Sequence, residues 1–152
     1  MTLAVLLQTW NAQHYQFRPF TEEHFREIAK LLQTDLDQLV RFRNRGIDSA
    51  TKDDLETVEA LFNRFEQVLG PVGAVKSLHL LGPNFFPLWD REIAKRYRCE
   101  LNKVGANGAN YMAFFLNTLQ QLRFLLPVMH GEPDLLKRID EYNYCKYTKS
   151  WL

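Results

Sequence analysis

Residues 76–90 read Lys-Ser-Leu-His-Leu-Leu-Gly-Pro-Asn-Phe-Phe-Pro-Leu-Trp-Asp, and no other part of the chain mixes apolar, charged and turn-forming residues so densely. From Ala74 to Leu81 the residues can form about two turns of helix, which Gly82 and Pro83 then end. The loop that follows is too apolar to lie in solvent, so we expect it to pack inward or to meet a ligand. The stretch therefore predicts either a rigid structural corner or the floor of a small binding or active site.

Three polar residues of this stretch are candidate catalytic residues: Lys76, His79 and Asp90. Lys76 and His79 fall on the helix side opposite to its apolar arc, and Leu80 beside them indicates that this side is covered too. If Lys76 is covered, its pKa falls toward the nucleophilic range; the commoner arrangement leaves the charge in water and covers apolar surface with the stem. Asp90 either caps the next helix, which contributes about 1 kcal/mol, or directs a carboxylate into a cleft.

Cap and stop signals divide the chain into about seven or eight helices, and no segment alternates as a strand does. We expect a first helix from Leu3 to about His14, a stop at Gly70-Pro71 and a turn at residues 131–133. The other predicted helix starts are the capping residues Thr21, Thr34, Ser49 or Thr51, Asp90 and Asn110, and Pro133 at a first helical position. With 152 residues, of which 46% are hydrophobic, the sequence predicts one all-α domain spanning residues 1–152.

The net charge of the chain is +1, so any nucleic-acid role must come from local clusters of charge. Three basic clusters are present: residues 41–45, residues 95–98 with Lys103, and Lys146 with Lys149 beside Trp151. Basic residues at helix C-termini complement the helix dipole, so solvated helix ends are their usual explanation. The alternatives are a phosphate-binding patch at residues 41–45 and a one-sided positive surface formed by all three clusters.

Other site signals are weak. The four histidines and the two cysteines, Cys99 and Cys145, have no metal-ligand spacing, and there is no Gly-rich phosphate loop, so we predict neither a metal nor a cofactor. The start of the chain does not read as a signal peptide, and no apolar run approaches the roughly 18 residues of a membrane helix. Together with two unpaired cysteines, this indicates a cytoplasmic protein without a membrane segment. The sequence does not identify a protein partner.

A group of uncharacterised bacterial proteins carries a block of the type Lys-x-Leu-His-x-Leu-x-Pro-x-x-Phe-Pro-x-Trp-Asp. The chain resembles this group through residues 76–90, where the matching residues are Lys76, Leu78, His79, Leu81, Pro83, Phe86, Pro87, Trp89 and Asp90. The likeness extends to the preceding helix and to residues 111–115. The resemblance implies an all-helical bacterial family and no particular activity.

Residues 69–73, Leu-Gly-Pro-Val-Gly, are similar to the Leu-Pro-Gly-Val-Gly hairpin of the helix-hairpin-helix DNA glycosylases, with Gly and Pro exchanged. In that family a helix after the hairpin can carry a Schiff-base lysine and an aspartate opens a later helix; Lys76 and Asp90 are similarly placed. The resemblance implies a helix-hairpin-helix-like core whose backbone amides hold DNA. The DNA-binding residues expected on the hairpin and on the later basic helix are Gly70, Val72, Gly73, Arg91, Lys95, Arg96 and Arg98.

These observations support three functional hypotheses. The leading one is a DNA-associated binding module with a helix-hairpin-helix-like core. The second is a base-excision glycosylase-like enzyme, in which Lys76 attacks the sugar carbon of a flipped nucleotide or Asp90 stabilises the cationic sugar. The third is a non-catalytic protein-interaction domain whose aromatic loop belongs to the core.

Overall fold

The computed structural model describes residues 2–10, 20–129 and 134–152, which form seven α-helices and no strand. The helices are α1 Thr2–Trp10, α2 Glu22–Thr34, α3 Leu36–Arg43, α4 Lys52–Leu81, α5 Arg91–Arg96, α6 Gly108–Leu125 and α7 Leu135–Asn143. A 3₁₀ turn, Ile47–Ser49, precedes α4, and a π-helical turn, Tyr144–Thr148, follows α7. The all-α prediction is confirmed. The end of the predicted first helix at residues 11–14 and the predicted turn at 131–133 lie outside the described residues.

The core lies where α4 packs along α6, and α1, α2 and α3 contact α4. Phe62 of α4 stacks on Tyr111 of α6 with ring centroids 4.5 Å apart. The loop between α4 and α5 enters this core, because Phe85 is fully buried and Trp89 is 1% exposed. The predicted inward packing of the loop is therefore confirmed. None of the described helices has both the length and the apolar character needed to cross a membrane.

Three helices start where local capping chemistry predicts. The Thr21 hydroxyl accepts a hydrogen bond from the first turn of α2. At the start of α4, Thr51 and Asp54 form a reciprocal capping box. Asp90 accepts a hydrogen bond from the Ile93 amide at 2.9 Å and so caps α5. Each cap satisfies a backbone amide that the helix itself leaves without a partner.

Two predicted caps are wrong. Thr34 is the last residue of α2, and Asp35 holds the cap position of α3 without a capping hydrogen bond. The Asp35 carboxylate instead accepts hydrogen bonds of 2.7 and 3.0 Å from Arg64. The helix α6 begins at Gly108, before Asn110. For Asp35, an ion pair with a residue distant in sequence has replaced local capping.

The helix α4 consists of two arms, residues 52–69 and 71–81, that meet at Gly70. Gly70 has φ 70° and ψ 170°, a backbone conformation that is open essentially to glycine alone. Pro71 suits the first position of the second arm, because that position needs no amide hydrogen. The predicted break at Gly70-Pro71 is confirmed. The chain resumes the helix immediately and continues to Leu81.

We expect Gly70→Ala to lower the free energy of unfolding by about 1–3 kcal/mol. A Cβ at this position would meet no atom within 4 Å, so the loss would come from backbone strain alone. Urea unfolding of the variant measures it. Glu56→Ala, at an exposed position of the same helix, is the control and should change stability by less than about 0.5 kcal/mol. Equal stability of Gly70→Ala and the wild-type protein would contradict the positive φ.

Candidate functional site

Two of the predicted basic clusters meet at one cavity of approximately 390 Å³, which we call the basic pocket. Its lining residues are Glu92, Lys95, Arg96, Arg98, Lys146 and Tyr147. Four cationic side chains therefore face a single carboxylate. One wall comes from α5 and the residues after it, and the other from the π-helical turn about 50 residues further along the chain. The lining charges therefore favour an anion over a cation.

The α5 wall ends in a strained residue. Arg98 has φ 57°, in the left-handed region that normally favours glycine. Its amide donates to Lys95 O at 3.1 Å and the Cys99 amide donates to Ala94 O at 2.9 Å, the two hydrogen bonds of a Schellman motif. A side chain in this conformation costs about 1–2 kcal/mol, and such strain concentrates at functional sites. An arginine at this helix end adds a cation to the pocket that glycine could not supply.

The second wall is tied to the first at both ends of α5. Near its start, the Thr148 hydroxyl donates to Asp90 Oδ2 at 2.5 Å. Near its end, the Arg96 guanidinium lies 5.5 Å from the centre of the Tyr147 ring, a cation–π contact. π-helical turns are rare and occur frequently at functional sites. These two contacts join the walls of the pocket at both ends of α5.

Lys146 is held in its charged form. Its Nζ donates a hydrogen bond of 2.5 Å to the Tyr142 hydroxyl and lies 4.9 Å from the centre of that ring. The hydrogen bond to Tyr142 raises the pKa of Lys146 above its ordinary value. Lys146 therefore remains a cation at neutral pH and contributes a full positive charge to the basic pocket.

Lys76 and Asp90, two of the predicted catalytic residues, lie close enough to interact. Burial lowers the pKa of Lys76, and the charge of Asp90 opposes this shift. Lys76 Nζ also lies 5.2 Å from the centre of the Trp10 ring. Both oxygens of Asp90 accept hydrogen bonds, Oδ1 from Ile93 and Oδ2 from Thr148. Asp90 thus caps α5 and anchors the π-helical turn, which gives it a structural role in the walls of the basic pocket.

His79, the third predicted catalytic residue, faces a carboxylate that sequence reasoning missed. Its Nδ1 lies 2.9 Å from the Phe86 carbonyl oxygen, which can only accept, so Nδ1 carries the hydrogen. Asp140 Oδ2 lies 3.9 Å from the same nitrogen. Burial lowers the pKa of His79 and raises that of Asp140 well above its ordinary value. Both shifts favour neutral side chains, so the contact is not a strong ion pair.

Asp140 is buried because it lies on the face of α7 that packs against the core. Leu136, Ile139, Asp140 and Asn143 are spaced three and four residues apart along α7, and all four are buried. Asp140 Oδ1 accepts from the Leu88 amide at 3.2 Å, whereas Oδ2 has no hydrogen-bond partner among the described residues. The position of Asp140 among apolar residues at helical spacing was the sequence signal that could have identified it as buried.

We expect Asp140→Asn to gain stability relative to the wild-type protein as the pH rises. Because the folded-state pKa is raised, the folded protein binds the Asp140 proton more tightly than the unfolded chain does, and wild-type stability falls as the pH climbs above about 4. The difference should grow by about 1.4 kcal/mol per pH unit until the folded pKa is reached. Urea unfolding of both proteins between about pH 4 and pH 8 measures it. Glu56→Gln is the matched control, and the same pH-independent difference for both variants would contradict the assignment.

The structure brings together three of the seven predicted DNA-binding residues: Lys95, Arg96 and Arg98. Arg91 is exposed on α5 but does not line the pocket; Gly70 forms the break in α4, and Val72 and Gly73 lie in the first turn of its second arm. Sequence reasoning left out three lining residues, Glu92, Lys146 and Tyr147, although Lys146 belonged to the third basic cluster. The pattern that could have identified Lys146 and Tyr147 is the interleaving of aromatic and basic residues over 142–151.

In the cluster at residues 41–45, two of the three arginines are paired with a buried carboxylate, whereas Arg43 is exposed. Arg45 donates two hydrogen bonds, of 2.8 and 3.0 Å, to the Asp54 carboxylate, and Arg41 also pairs with it. Within the described part of the chain, no three His, Cys, Asp or Glu residues are grouped to hold a metal ion. Comparisons with protein-family models, curated proteins and solved structures find no match for this chain.

Proposed function

We propose that the chain is a DNA-associated binding module whose basic pocket holds the phosphate backbone. The observation that carries the proposal is the convergence of Lys95, Arg96, Arg98 and Lys146 on one cavity of approximately 390 Å³. Guanidinium groups match the oxygen pairs of a phosphate, and lysines add point charge. Contacts of this kind position a protein on nucleic acid without reading its sequence.

The charge distribution supports a nucleic-acid partner. The chain as a whole carries a net charge of +1, yet four cations and one carboxylate share the pocket. Because the positive charge is concentrated there, binding should depend on this surface and weaken steeply with salt as phosphate contacts release counterions.

A helix-hairpin-helix-like core is part of the proposal. Gly70 and Pro71 join two helical arms, and the amides of residues 72 and 73 would face a phosphate at the start of the second arm. Gly73 is buried and Val72 half-buried, so we assign the larger part of the binding energy to the basic pocket. A reducing, cytoplasmic setting fits the two cysteines, which are both free.

Fluorescence anisotropy with a labelled oligonucleotide at low salt tests the proposal. The double variant Lys95→Gln/Lys146→Gln should weaken binding at least about tenfold, since each lysine contacts phosphate. Lys30→Gln, an exposed lysine of α2 outside the pocket, is the control and should bind nearly as the wild-type protein does. Undetectable binding by the wild-type protein at low salt, or equal binding by the double variant, would overturn the proposal.

Arg98→Gly separates binding from folding. Glycine relieves the left-handed strain, so the variant should be more stable than the wild-type protein by about 1 kcal/mol. It also removes a pocket cation, so affinity for the oligonucleotide should fall. Weaker binding by a more stable protein cannot result from unfolding. If Arg98→Gly binds as tightly as the wild-type protein, Arg98 does not contact the oligonucleotide.

A glycosylase-like activity is the second candidate, favoured by the lowered pKa of Lys76 and its proximity to Asp90. An uncharged lysine amine can attack the anomeric carbon of a flipped nucleotide and displace the base as the leaving group, and opening of the sugar ring then gives a Schiff base. Borohydride trapping of the protein on damaged DNA, lost in Lys76→Ala, is the expected result. No trapped complex with the folded wild-type protein would exclude the Schiff-base reaction.

A further inference from the structure

Aromatic and cationic side chains interleave along residues 142–151, beside the basic pocket. We call the four aromatic residues of this segment the aromatic strip: Tyr142, Tyr144, Tyr147 and Trp151. Each lysine of the segment lies between two of these rings. Lys146 Nζ is 4.9 and 5.9 Å from the ring centres of Tyr142 and Tyr147, and Lys149 Nζ is 5.6 and 6.0 Å from those of Tyr144 and Trp151. Charges and ring faces therefore alternate over a short surface.

The strip combines exposed rings with an anchored backbone. Trp151 is 69% exposed and Tyr144 is 43% exposed, although both side chains carry large apolar surfaces. The Trp151 amide donates to Cys145 O at 2.9 Å, and Ser150 turns the chain back with φ 55°. This hydrogen bond ties Trp151 to Cys145, the residue that precedes Lys146 of the basic pocket. The rings are thus presented next to the phosphate site by a backbone that is already ordered.

This arrangement favours single-stranded nucleic acid over a duplex. In a duplex the base faces are covered by neighbouring bases, so exposed rings could reach them only by unstacking the helix. A single strand offers free base faces to aromatic rings and phosphates to adjacent cations, and proteins that bind single strands combine these two features. We propose that the ligand of the basic pocket is a single strand whose bases stack on Trp151 and Tyr144, with Lys149 at its backbone. The inference rests on the proposed function and specifies the ligand's form.

The test compares two labelled strands of equal length: an oligothymidylate and an abasic oligomer with the same phosphates and no bases. Anisotropy at low salt should show tighter binding of the oligothymidylate. Trp151→Ala should weaken oligothymidylate binding by about 5- to 100-fold and leave abasic binding unchanged. Trp151→Phe, which keeps a ring, should retain most of the affinity. Because Trp151 is exposed, unchanged unfolding midpoints are expected for both variants.

Each outcome of the test decides between the two claims. Equal affinity for the two strands with no effect of Trp151→Ala would overturn the stacking inference and leave the phosphate site intact. Tighter binding of a duplex of the same length would overturn it too. If neither strand nor duplex binds, the proposed function itself fails. Both claims are supported if Lys95→Gln/Lys146→Gln weakens binding of both strands and Trp151→Ala weakens binding of the oligothymidylate alone.

Discussion

Trp89→Ala is expected to lower the free energy of unfolding by about 3–5 kcal/mol, the range for removing a large aromatic side chain from a core. Trp89 is 1% exposed, and its ring contacts Phe62, Tyr111 and Phe114 at centroid distances of 6.1, 5.4 and 5.7 Å. Alanine would leave a cavity between α4 and α6, next to the start of α5. Since α5 forms one wall of the basic pocket, the variant should weaken binding as well.

Two further variants separate the causes of this loss. Trp89 Nε1 has no hydrogen-bond partner among the described residues, so Trp89→Phe removes a buried donor along with some volume and should cost about 1–2 kcal/mol. Trp151→Ala makes the same truncation at a 69% exposed position and should change stability by less than about 0.5 kcal/mol. Urea unfolding measures all three. A loss for Trp89→Ala no larger than that for Trp151→Ala would contradict the packing of the loop.

Asp54→Ala is expected to cost about 3 kcal/mol, near the lower end for breaking a buried ion pair. The Asp54 side chain is fully covered, and it is paired with Arg41 and Arg45, whose own side chains are 50% and 23% exposed. Asp54 also accepts from the Thr51 amide at 2.8 Å, so the variant loses half of the capping box of α4. The partial exposure of the arginines keeps the loss near the lower end, because water can solvate them once the carboxylate is gone.

Asp54 should also affect how the free energy of unfolding falls at acidic pH. The hydrogen bond from Arg45 holds the pKa of the Asp54 carboxyl well below its ordinary range. A depressed folded-state pKa stabilises the protein above the unfolded pKa, near 4, and this contribution is lost as the pH falls below that value. Asp54→Asn should therefore flatten the fall in stability on acidification, and Glu56→Gln should not. An unchanged acid profile in Asp54→Asn would show that the arginines do not hold the carboxylate in solution.

Local chemistry explains which parts of this structure can be predicted from sequence. Thr21, Thr51 and Asp90 cap helices with groups a few residues away, and Gly70 breaks α4 through its own backbone. The inward packing of residues 85–89 follows from their apolar character. Each of these features is decided within one or two turns of chain, where residue type and spacing carry the whole signal.

The features that sequence did not predict depend on pairs distant along the chain. Asp35 forms an ion pair with Arg64 and does not cap its own helix, and Asp140 lies against His79. The basic pocket joins α5 to the π-helical turn through Asp90 and Thr148, a contact that local patterns do not encode. Basic clusters that look alike in sequence therefore make different contacts in the structure. The arginines at 41 and 45 are paired with Asp54, whereas Lys95 and Arg98 line an open cavity.

The salt dependence of oligonucleotide binding tests the central claim, that the basic pocket holds a phosphate backbone, most directly. Between about 50 and 200 mM salt, each phosphate contact contributes about 0.7–0.9 to the slope of log affinity against log salt. If Lys95 and Lys146 each contact one phosphate, the double variant Lys95→Gln/Lys146→Gln should bind more weakly and show a slope smaller by about 1.4–1.8. Lys30→Gln should keep the wild-type slope. A wild-type slope and affinity in the double variant would contradict the account.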